Sequence, residues 1–254
     1  MLADYGTIEV NGREADQAAV SLLDHEGWGH FTAMQVRSGR ARGLDLHLAR
    51  LEAAHHDVYG RALDGQEVRA RIRHALDGRG DASVRVYGYW AGLIVTVKEP
   101  QDTPRRPHSM TALQFQRPLA RLKHVGSWGQ GRFSEMALAA GFDEGLLVDE
   151  SGRISEGTIT NVGFWRDGMV IWPDAPKLLG ITMLILRRQL TVASVGQAEE
   201  PVHVQDLAGY DAMILCNSRG WAPVGRVDDL AIAQDEAFAN VIDAAIDGCP
   251  WDEI

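Results

Sequence analysis

Apolar residues in the first half of the chain recur with two periods, one typical of strands and the other of helices. Alternating or β-branched runs predict strands at residues 5–11, 31–36 and 83–97, with a break inside the last run. Apolar spacings of three and four residues predict amphipathic helices at residues 46–59 and 67–76.

The second half of the chain shows the same mixture of elements. Predicted strands lie at residues 110–116, 145–148, 158–165, 169–172 and 212–216, and predicted helices at residues 128–140, 182–190 and 234–246. We interpret the strands between residues 145 and 172 as a meander, because short turn sequences join them. Because strands and helices are grouped within each half, the pattern predicts an α+β fold.

A change of composition near the middle of the chain suggests two domains. The segment Glu99–Pro107 is charged and carries three prolines, and little periodicity follows before the next predicted helix. A chain of 254 residues is long enough for two modest domains. We therefore predict an N-terminal α+β domain at residues 1–115, an interdomain connection at 116–126 and a C-terminal β-rich domain at 127–254.

Composition and charge exclude several classes of protein. The net charge of −10 argues against nucleic acid as a partner, because phosphate binding needs a basic surface. Every apolar run is far shorter than the roughly 20 residues of a membrane span, and residues 1–5 do not resemble a signal peptide. The two cysteines, Cys216 and Cys249, form no CxxC pair, and no group of residues has metal-ligand spacing. We expect a cytoplasmic protein without a metal site.

Lysine is scarce, so any chemistry that needs a side-chain amine has few candidate residues. Of the 25 basic residues, 22 are arginine and three are lysine. Lys98 precedes Glu99-Pro100 in a charged segment, and Lys177 follows a proline in a predicted turn. Lys123 lies in the predicted interdomain connection, where partial loss of solvent would lower the pKa of its amine.

Several short motifs follow one another in a characteristic order. They are His47–Leu51 in the first half, then Arg121–Gly126, Gly141–Asp149, Ser155–Asn161, Leu179–Thr182 and Cys216–Ser218. In this order and spacing the chain resembles the class IV pyridoxal-phosphate enzymes of fold type IV, which include branched-chain and D-amino acid aminotransferases and aminodeoxychorismate lyases. The resemblance implies a two-domain architecture, with the cofactor between the domains, and a homodimer.

The resemblance assigns the reactive end of the cofactor to three residues. Lys123 matches the lysine that forms a Schiff base with pyridoxal 5'-phosphate. Glu156 matches the acid that keeps the pyridine nitrogen protonated, so that the ring can withdraw electrons. Asn161 either supports this site or is an ordinary turn residue.

Five further residues match the contacts that the family makes with the cofactor phosphate. Ile181 and Thr182 open a predicted helix, whose free N–H groups and dipole favour an anion. Arg50 supplies a fixed positive charge. Asn217 and Ser218 lie where family members offer a further polar group.

The expected substrate pocket departs from the well-known members of the family. Trp128 stands where branched-chain enzymes carry a tyrosine, and Phe31 with Thr32 replaces an aromatic–glutamate pair. Arg85 matches a strand arginine that lies near the substrate carboxylate in some members, although a strand arginine can equally form a salt bridge. Arg85, Phe31 and Trp128 are therefore the candidate substrate contacts.

Transamination is the function that this resemblance favours. An amino group would move between an amino acid or amine and a keto acid through the Lys123 Schiff base. The alternative is an aminodeoxychorismate lyase type of C–N and C–O bond cleavage that releases pyruvate, which Cys216-Asn217 slightly favours. A non-catalytic protein that binds the cofactor is the third hypothesis, and intact Lys123 and Glu156 argue against it.

Overall fold

The computed structural model describes residues 7–15, 28–90 and 92–254. They form two compact units of mixed helix and strand, which agrees with the predicted α+β class. The described part of the first unit reaches Gln101 and also includes Leu122–Gly126 and Pro250–Ile254. The second unit comprises Asp102–Arg121 and Ser127–Cys249. Within the described ranges, no helix is long and apolar enough to cross a membrane.

The first unit is built on one antiparallel sheet. Its seven strands in the described residues are β1 (Thr7–Val10), β2 (Arg13–Glu14), β3 (His30–Arg37), β4 (Arg40–Arg42), β5 (Ala82–Tyr89), β6 (Gly92–Lys98) and β16 (Trp251–Glu253). They pair in the order β16-β4-β3-β5-β6-β1-β2. Two helices, α1 (Leu44–Tyr59) and α2 (Gly65–Leu76), pack on this sheet.

Alternation along the strands separates a core face from a second face of this sheet. Val84 and Val86 of β5 are fully buried and share a core with Leu51 of α1 and Ile72 of α2. Burying each such side chain contributes about 1.5–3 kcal/mol. Arg85, which lies between the two valines, is exposed and points to the opposite face.

The second unit contains a larger mixed sheet. Its nine strands in the described residues are β7 (His108–Gln114), β8 (Glu144–Val148), β9 (Ile154–Gly157), β10 (Asn161–Arg166), β11 (Met169–Pro173), β12 (Gly196–Glu200), β13 (Ala212–Asn217), β14 (Gly220–Val227) and β15 (Leu230–Ala231). The order is β12-β11-β10-β13-β14-β7-β8-β9, with β15 paired to β14. The helices are α3 (Trp128–Ala139), α4 (Ile181–Val192), a 3-10 helix (Val204–Gly209) and α5 (Glu236–Asp247).

The predicted meander between residues 145 and 172 is wrong in its connectivity. The predicted strand 158–165 corresponds to β10, which begins three residues later at Asn161, and strand β9, which ends at Gly157, was not predicted. Strand β9 pairs with β8, whereas β10 pairs with β11 and β13. The turn between β9 and β10 therefore joins strands that are not hydrogen-bonded neighbours, and it carries polar residues.

The boundaries of the two units differ from the predicted domain boundaries. Residues 102–115, predicted as N-terminal, belong to the second unit because β7 pairs with β8 and β14. Residues 250–254 belong to the first unit because β16 pairs with β4. The predicted connection divides at Leu122, and Leu122–Gly126 belongs to the first unit.

Candidate active site

The backbone of strand β3 fixes the segment that carries Lys123. The carbonyl oxygen of Lys123 accepts a hydrogen bond from the N–H of Phe31 at 2.8 Å, and the N–H of Val125 donates to the carbonyl oxygen of Gly29 at 2.9 Å. The Lys123 side chain is half-buried, and its Nζ lies 4.8 Å from the centre of the Phe31 ring. The lysine is therefore held as part of the sheet rather than on a free loop.

The other two lysines are placed differently. Lys177 is 5% exposed, and its Nζ donates to the Glu199 carboxylate at 2.6 Å. The pKa of Glu199 is lowered, and this hydrogen bond contributes most to that shift. Lys98 is the last residue of β6. Because the Lys177 ammonium forms a buried ion pair with Glu199, Lys123 is better placed than Lys177 to react as an amine.

Arg50 and Lys123 are far apart in the sequence, but both change the pKa of the same histidine, His47. Both lower the pKa of the buried imidazole of His47, after burial itself, to about 3. His47 is on α1, one turn before Arg50, and its Nδ1 lies 2.6 Å from the hydroxyl of Thr32. Because both cations affect this imidazole, Arg50 and Lys123 lie close to His47, which is neutral at pH 7.

Arg85 lies on the same face of the first sheet as Phe31. Its guanidinium carbon is 6.0 Å from the centre of the Phe31 ring, the same ring that the Lys123 Nζ approaches. Tyr87 stacks on Phe31 with ring centres 5.4 Å apart. Arg85 and Lys123 thus share one surface of the first unit.

Glu156, in the second unit, is a buried carboxylate beside a buried arginine. It is 4% exposed on β9, and its Oε2 accepts from the N–H of Leu178 at 3.2 Å. Its Oε1 lies 3.8 Å from Arg117 Nη1. Burial lowers the pKa of Arg117, and the negative charge of Glu156 opposes that effect. Sequence reasoning missed Arg117, because nothing distinguishes it among 22 arginines.

Asn161 holds the loop that leads into helix α4. Its Nδ2 donates to the carbonyl oxygen of Leu178 at 2.7 Å, and its Oδ1 accepts from the N–H of Gly180 at 3.0 Å. A Cβ at residue 180 would displace that Oδ1, so glycine preserves this hydrogen bond. Asn161 is the first residue of β10 and fixes the backbone of Leu178 and Gly180.

The first turn of α4 is available to an anion. The helix begins at Ile181, one residue before the predicted start, and Gly180 at its N-cap provides no side-chain cap. The first N–H groups of a helix have no acceptor within it. The Thr182 hydroxyl donates to the carbonyl oxygen of Asn217 at 2.6 Å, which ties this turn to the end of β13. Ser218 lies in the turn that follows β13.

A second buried acid, Glu144, organises the turn between Glu156 and Asn161. Its Oε1 accepts from the N–H of Ile159 at 2.9 Å and from the hydroxyl of Thr160 at 2.8 Å. Burial raises the pKa of Glu144, and these bonds counter it. Sequence reasoning gave Glu144 no role.

The structure divides the sequence-predicted residues between the two units. The first unit carries Phe31, Arg50, Arg85 and Lys123, and the second carries Trp128, Glu156, Asn161, Ile181, Thr182, Asn217 and Ser218. Trp128 is the first residue of α3, and 81% of its surface is exposed.

A family model for class IV amino-transferases matches residues 29–227. The chain belongs to this amino-transferase class IV family. The match includes His47, Lys123, Glu156 and Thr182, so the resemblance seen in the motifs is confirmed. No curated protein sequence matches the class IV chain.

Solved structures share the fold of this class IV amino-transferase. A branched-chain aminotransferase from the thermophilic archaeon Thermoproteus uzoniensis, with norvaline, is 15% identical with a TM-score of 0.83, covering 94% of this chain and 93% of that one. A hypothetical aminotransferase from Mycobacterium tuberculosis, in a PLP-bound form, is 20% identical with a TM-score of 0.81, covering 95% and 99%. A putative 4-amino-4-deoxychorismate lyase from Legionella pneumophila is 18% identical with a TM-score of 0.77, covering 87% and 91%.

Membership of the family establishes the general chemistry. This class IV amino-transferase is an enzyme, its cofactor is pyridoxal 5'-phosphate, and transamination is the reaction for which its family is named. Each unit carries residues that fit such a group. The first has Arg50 and an amine whose backbone is hydrogen-bonded to Phe31, and the second has a buried carboxylate and an uncapped helix N-terminus.

Proposed function

We propose that the protein transfers an amino group from an amino acid or amine to a keto acid, with Lys123 as the residue that binds the cofactor aldehyde. The observation that carries this proposal is the placement of Lys123. Its backbone is hydrogen-bonded to Phe31 of β3, and Lys123 and Arg50 both lie close to His47, whereas Lys177 is bound to Glu199.

We assign three roles to side chains around the cofactor. When bound, pyridoxal phosphate withdraws electrons from the carbon that loses a proton. Glu156 holds a proton at the pyridine nitrogen, and the Arg117 guanidinium lies 3.8 Å from its carboxylate. Lys123 Nζ, as a neutral amine, accepts the α-proton of the amino donor and later returns a proton.

The phosphate is assigned to groups that do not take part in bond breaking. Arg50 offers a fixed positive charge, and the first turn of α4 offers free N–H groups and the positive end of its dipole. Asn217 and Ser218 are assigned to the same group, because the hydrogen bond from Thr182 to the Asn217 carbonyl oxygen places the end of β13 beside the first turn of α4.

The reaction itself is tested by offering the protein several amino donors with several keto acids, and separately an aminodeoxychorismate substrate. Amine transfer without pyruvate release supports the transaminase. Pyruvate release from the second substrate supports the lyase, the alternative that Cys216-Asn217 favours at the end of β13. Cofactor binding without either product would contradict both.

Two variants test the phosphate assignment. Arg50→Ala and Thr182→Ala are expected to weaken cofactor retention about ten- to a hundredfold, the effect of losing one charge-assisted hydrogen bond of roughly 1.5–3 kcal/mol. The Thr182 hydroxyl forms such a bond when its proton turns from the Asn217 carbonyl oxygen to the phosphate. The rate of the chemical step at saturating cofactor should change much less. The measurement is the cofactor dissociation constant by equilibrium dialysis, with Arg50→Lys and Thr182→Ser as matched controls. A variant that retains the cofactor as tightly as the parent has no place in the phosphate site.

Arg85 is proposed to bind the substrate carboxylate. A guanidinium can form two parallel hydrogen bonds with a carboxylate, which an ammonium cannot. Arg85→Lys is therefore expected to raise the Michaelis constant for a carboxylate donor about tenfold and to leave the cofactor absorbance unchanged. An amine donor without a carboxylate provides the control. An equal rise for both donors would remove Arg85 from this role, and Arg219 would be tested next.

We also propose that the protein acts as a homodimer in the cytoplasm. Family resemblance supports the dimer, and two buried free thiols, Cys216 and Cys249, suit a reducing compartment. Sedimentation equilibrium measures the oligomeric state, and a monomer at assay concentration would contradict the proposed dimer.

Phe31 and Trp128 are proposed to line the substrate pocket.

A further inference from the structure

Thr32 and His47 form a buried polar pair that the proposed chemistry does not use. Thr32 is 0% exposed and His47 is 3% exposed, and the hydroxyl oxygen lies 2.6 Å from the imidazole Nδ1. Burying polar groups is costly unless they are hydrogen-bonded to one another. The pair therefore needs its bond, and the bond joins two separate elements, β3 and α1.

The position of this pair links the two cations of the first unit. Thr32 follows Phe31, whose N–H holds the carbonyl oxygen of Lys123 at 2.8 Å. His47 precedes Arg50 by one helical turn, so both lie on the same side of α1. The Thr32–His47 hydrogen bond thus connects the part of β3 that binds the Lys123 backbone with the helix that carries Arg50.

Electrostatics agrees with this arrangement. Burial lowers the pKa of His47, and Arg50 and Lys123 lower it further, so the imidazole is neutral. A neutral spacer between two cations adds no repulsion.

We propose that the Thr32–His47 hydrogen bond is a positioning contact that sets Arg50 relative to Lys123, so that a phosphorylated aldehyde binds better than the same aldehyde without phosphate. This inference rests on the proposed roles of Lys123 and Arg50. Thr32 and His47 act through α1 and β3 and do not themselves contact the ligand.

Aldehyde binding to the protein freed of cofactor tests the proposal without any measurement of turnover. The probes are pyridoxal 5'-phosphate and pyridoxal, and each dissociation constant is measured by absorbance titration. Thr32→Val removes the hydroxyl but keeps the shape. It is expected to weaken binding of the phosphorylated probe about tenfold, the effect of one hydrogen bond. Binding of pyridoxal should stay within about twofold of the parent.

Matched variants separate positioning from general stability. Thr32→Ser keeps the hydroxyl and should restore the preference for phosphate. Thr111→Val removes a hydroxyl that donates to Asp228 at 2.7 Å in the second unit, and it should leave both constants unchanged. If Thr32→Val does not fold, His47→Leu removes the same bond and carries the same expectation.

The outcomes distinguish the inference from the proposed function. Equal weakening of both probes by Thr32→Val, or no weakening at all, would overturn the positioning role. If Arg50→Ala also fails to reduce the preference for phosphate, the assignment of Arg50 is wrong. If only the Thr32 and His47 variants fail to reduce it, the proposed function stands and this inference does not.

Discussion

Replacing Lys123 with alanine is expected to lower the rate of amine transfer by about ten-thousandfold or more. General acid–base catalysis alone contributes roughly a hundredfold to ten-thousandfold, and the variant also loses the covalent bond to the cofactor. The measurement is single-turnover amine transfer with purified protein. The change should leave the fold intact, because β3 holds this segment through backbone groups of Phe31 and Lys123.

Lys98→Arg is the matched control for this experiment. Lys98 is the last residue of strand β6, opposite Ser83, and arginine keeps its positive charge, so the variant should keep the parent rate. Lys177 is a poorer control, since its buried ion pair with Glu199 contributes to the fold. Lys123→Ala protein that retains more than about one per cent of the parent rate would contradict the general-base role.

Glu156→Gln is expected to slow turnover by more than about a hundredfold while cofactor binding persists. A neutral amide does not hold a proton at the pyridine nitrogen as a carboxylate does, and a loss of about 3 kcal/mol of carbanion stabilisation gives this factor. The neighbouring Arg117 increases the effect, because its cation then opposes a positive ring without the compensating charge of Glu156.

Single-turnover rates at saturating cofactor measure the Glu156 effect, and absorbance shows that the cofactor remains bound. Glu156→Asp, which keeps the charge on a shorter side chain, should recover part of the rate. Glutamine protein with a rate near that of the parent would mean that Glu156 is not the partner of the pyridine nitrogen.

The elements that carry the site could be predicted from sequence because their signals are local. Alternation in residues 31–36 and the apolar spacing in residues 46–59 mark β3 and α1, which the structure extends by one or two residues. Lys123 stood out because the chain has only three lysines. The signals for β3 and α1 come from residues that are close in the sequence, so contacts with distant residues did not change these two elements.

The features that sequence reasoning missed depend on contacts between distant residues. Strand β7 joins the second unit through β14, more than a hundred residues later, and no local pattern indicates this pairing. Arg117 gains its role from burial beside Glu156, and Glu144 gains its role from a turn fifteen residues away. Both resemble ordinary surface charges in the sequence.

Reduction with borohydride is the most direct test of the central claim, that Lys123 binds the cofactor aldehyde. The protein is loaded with pyridoxal 5'-phosphate, reduced, digested and mapped by mass spectrometry. We predict a stable phosphopyridoxyl mass on the peptide that contains Lys123, and no such mass there in Lys123→Ala protein. A label on Lys98 or Lys177 instead, or no label at all in protein that holds the cofactor, would contradict the account.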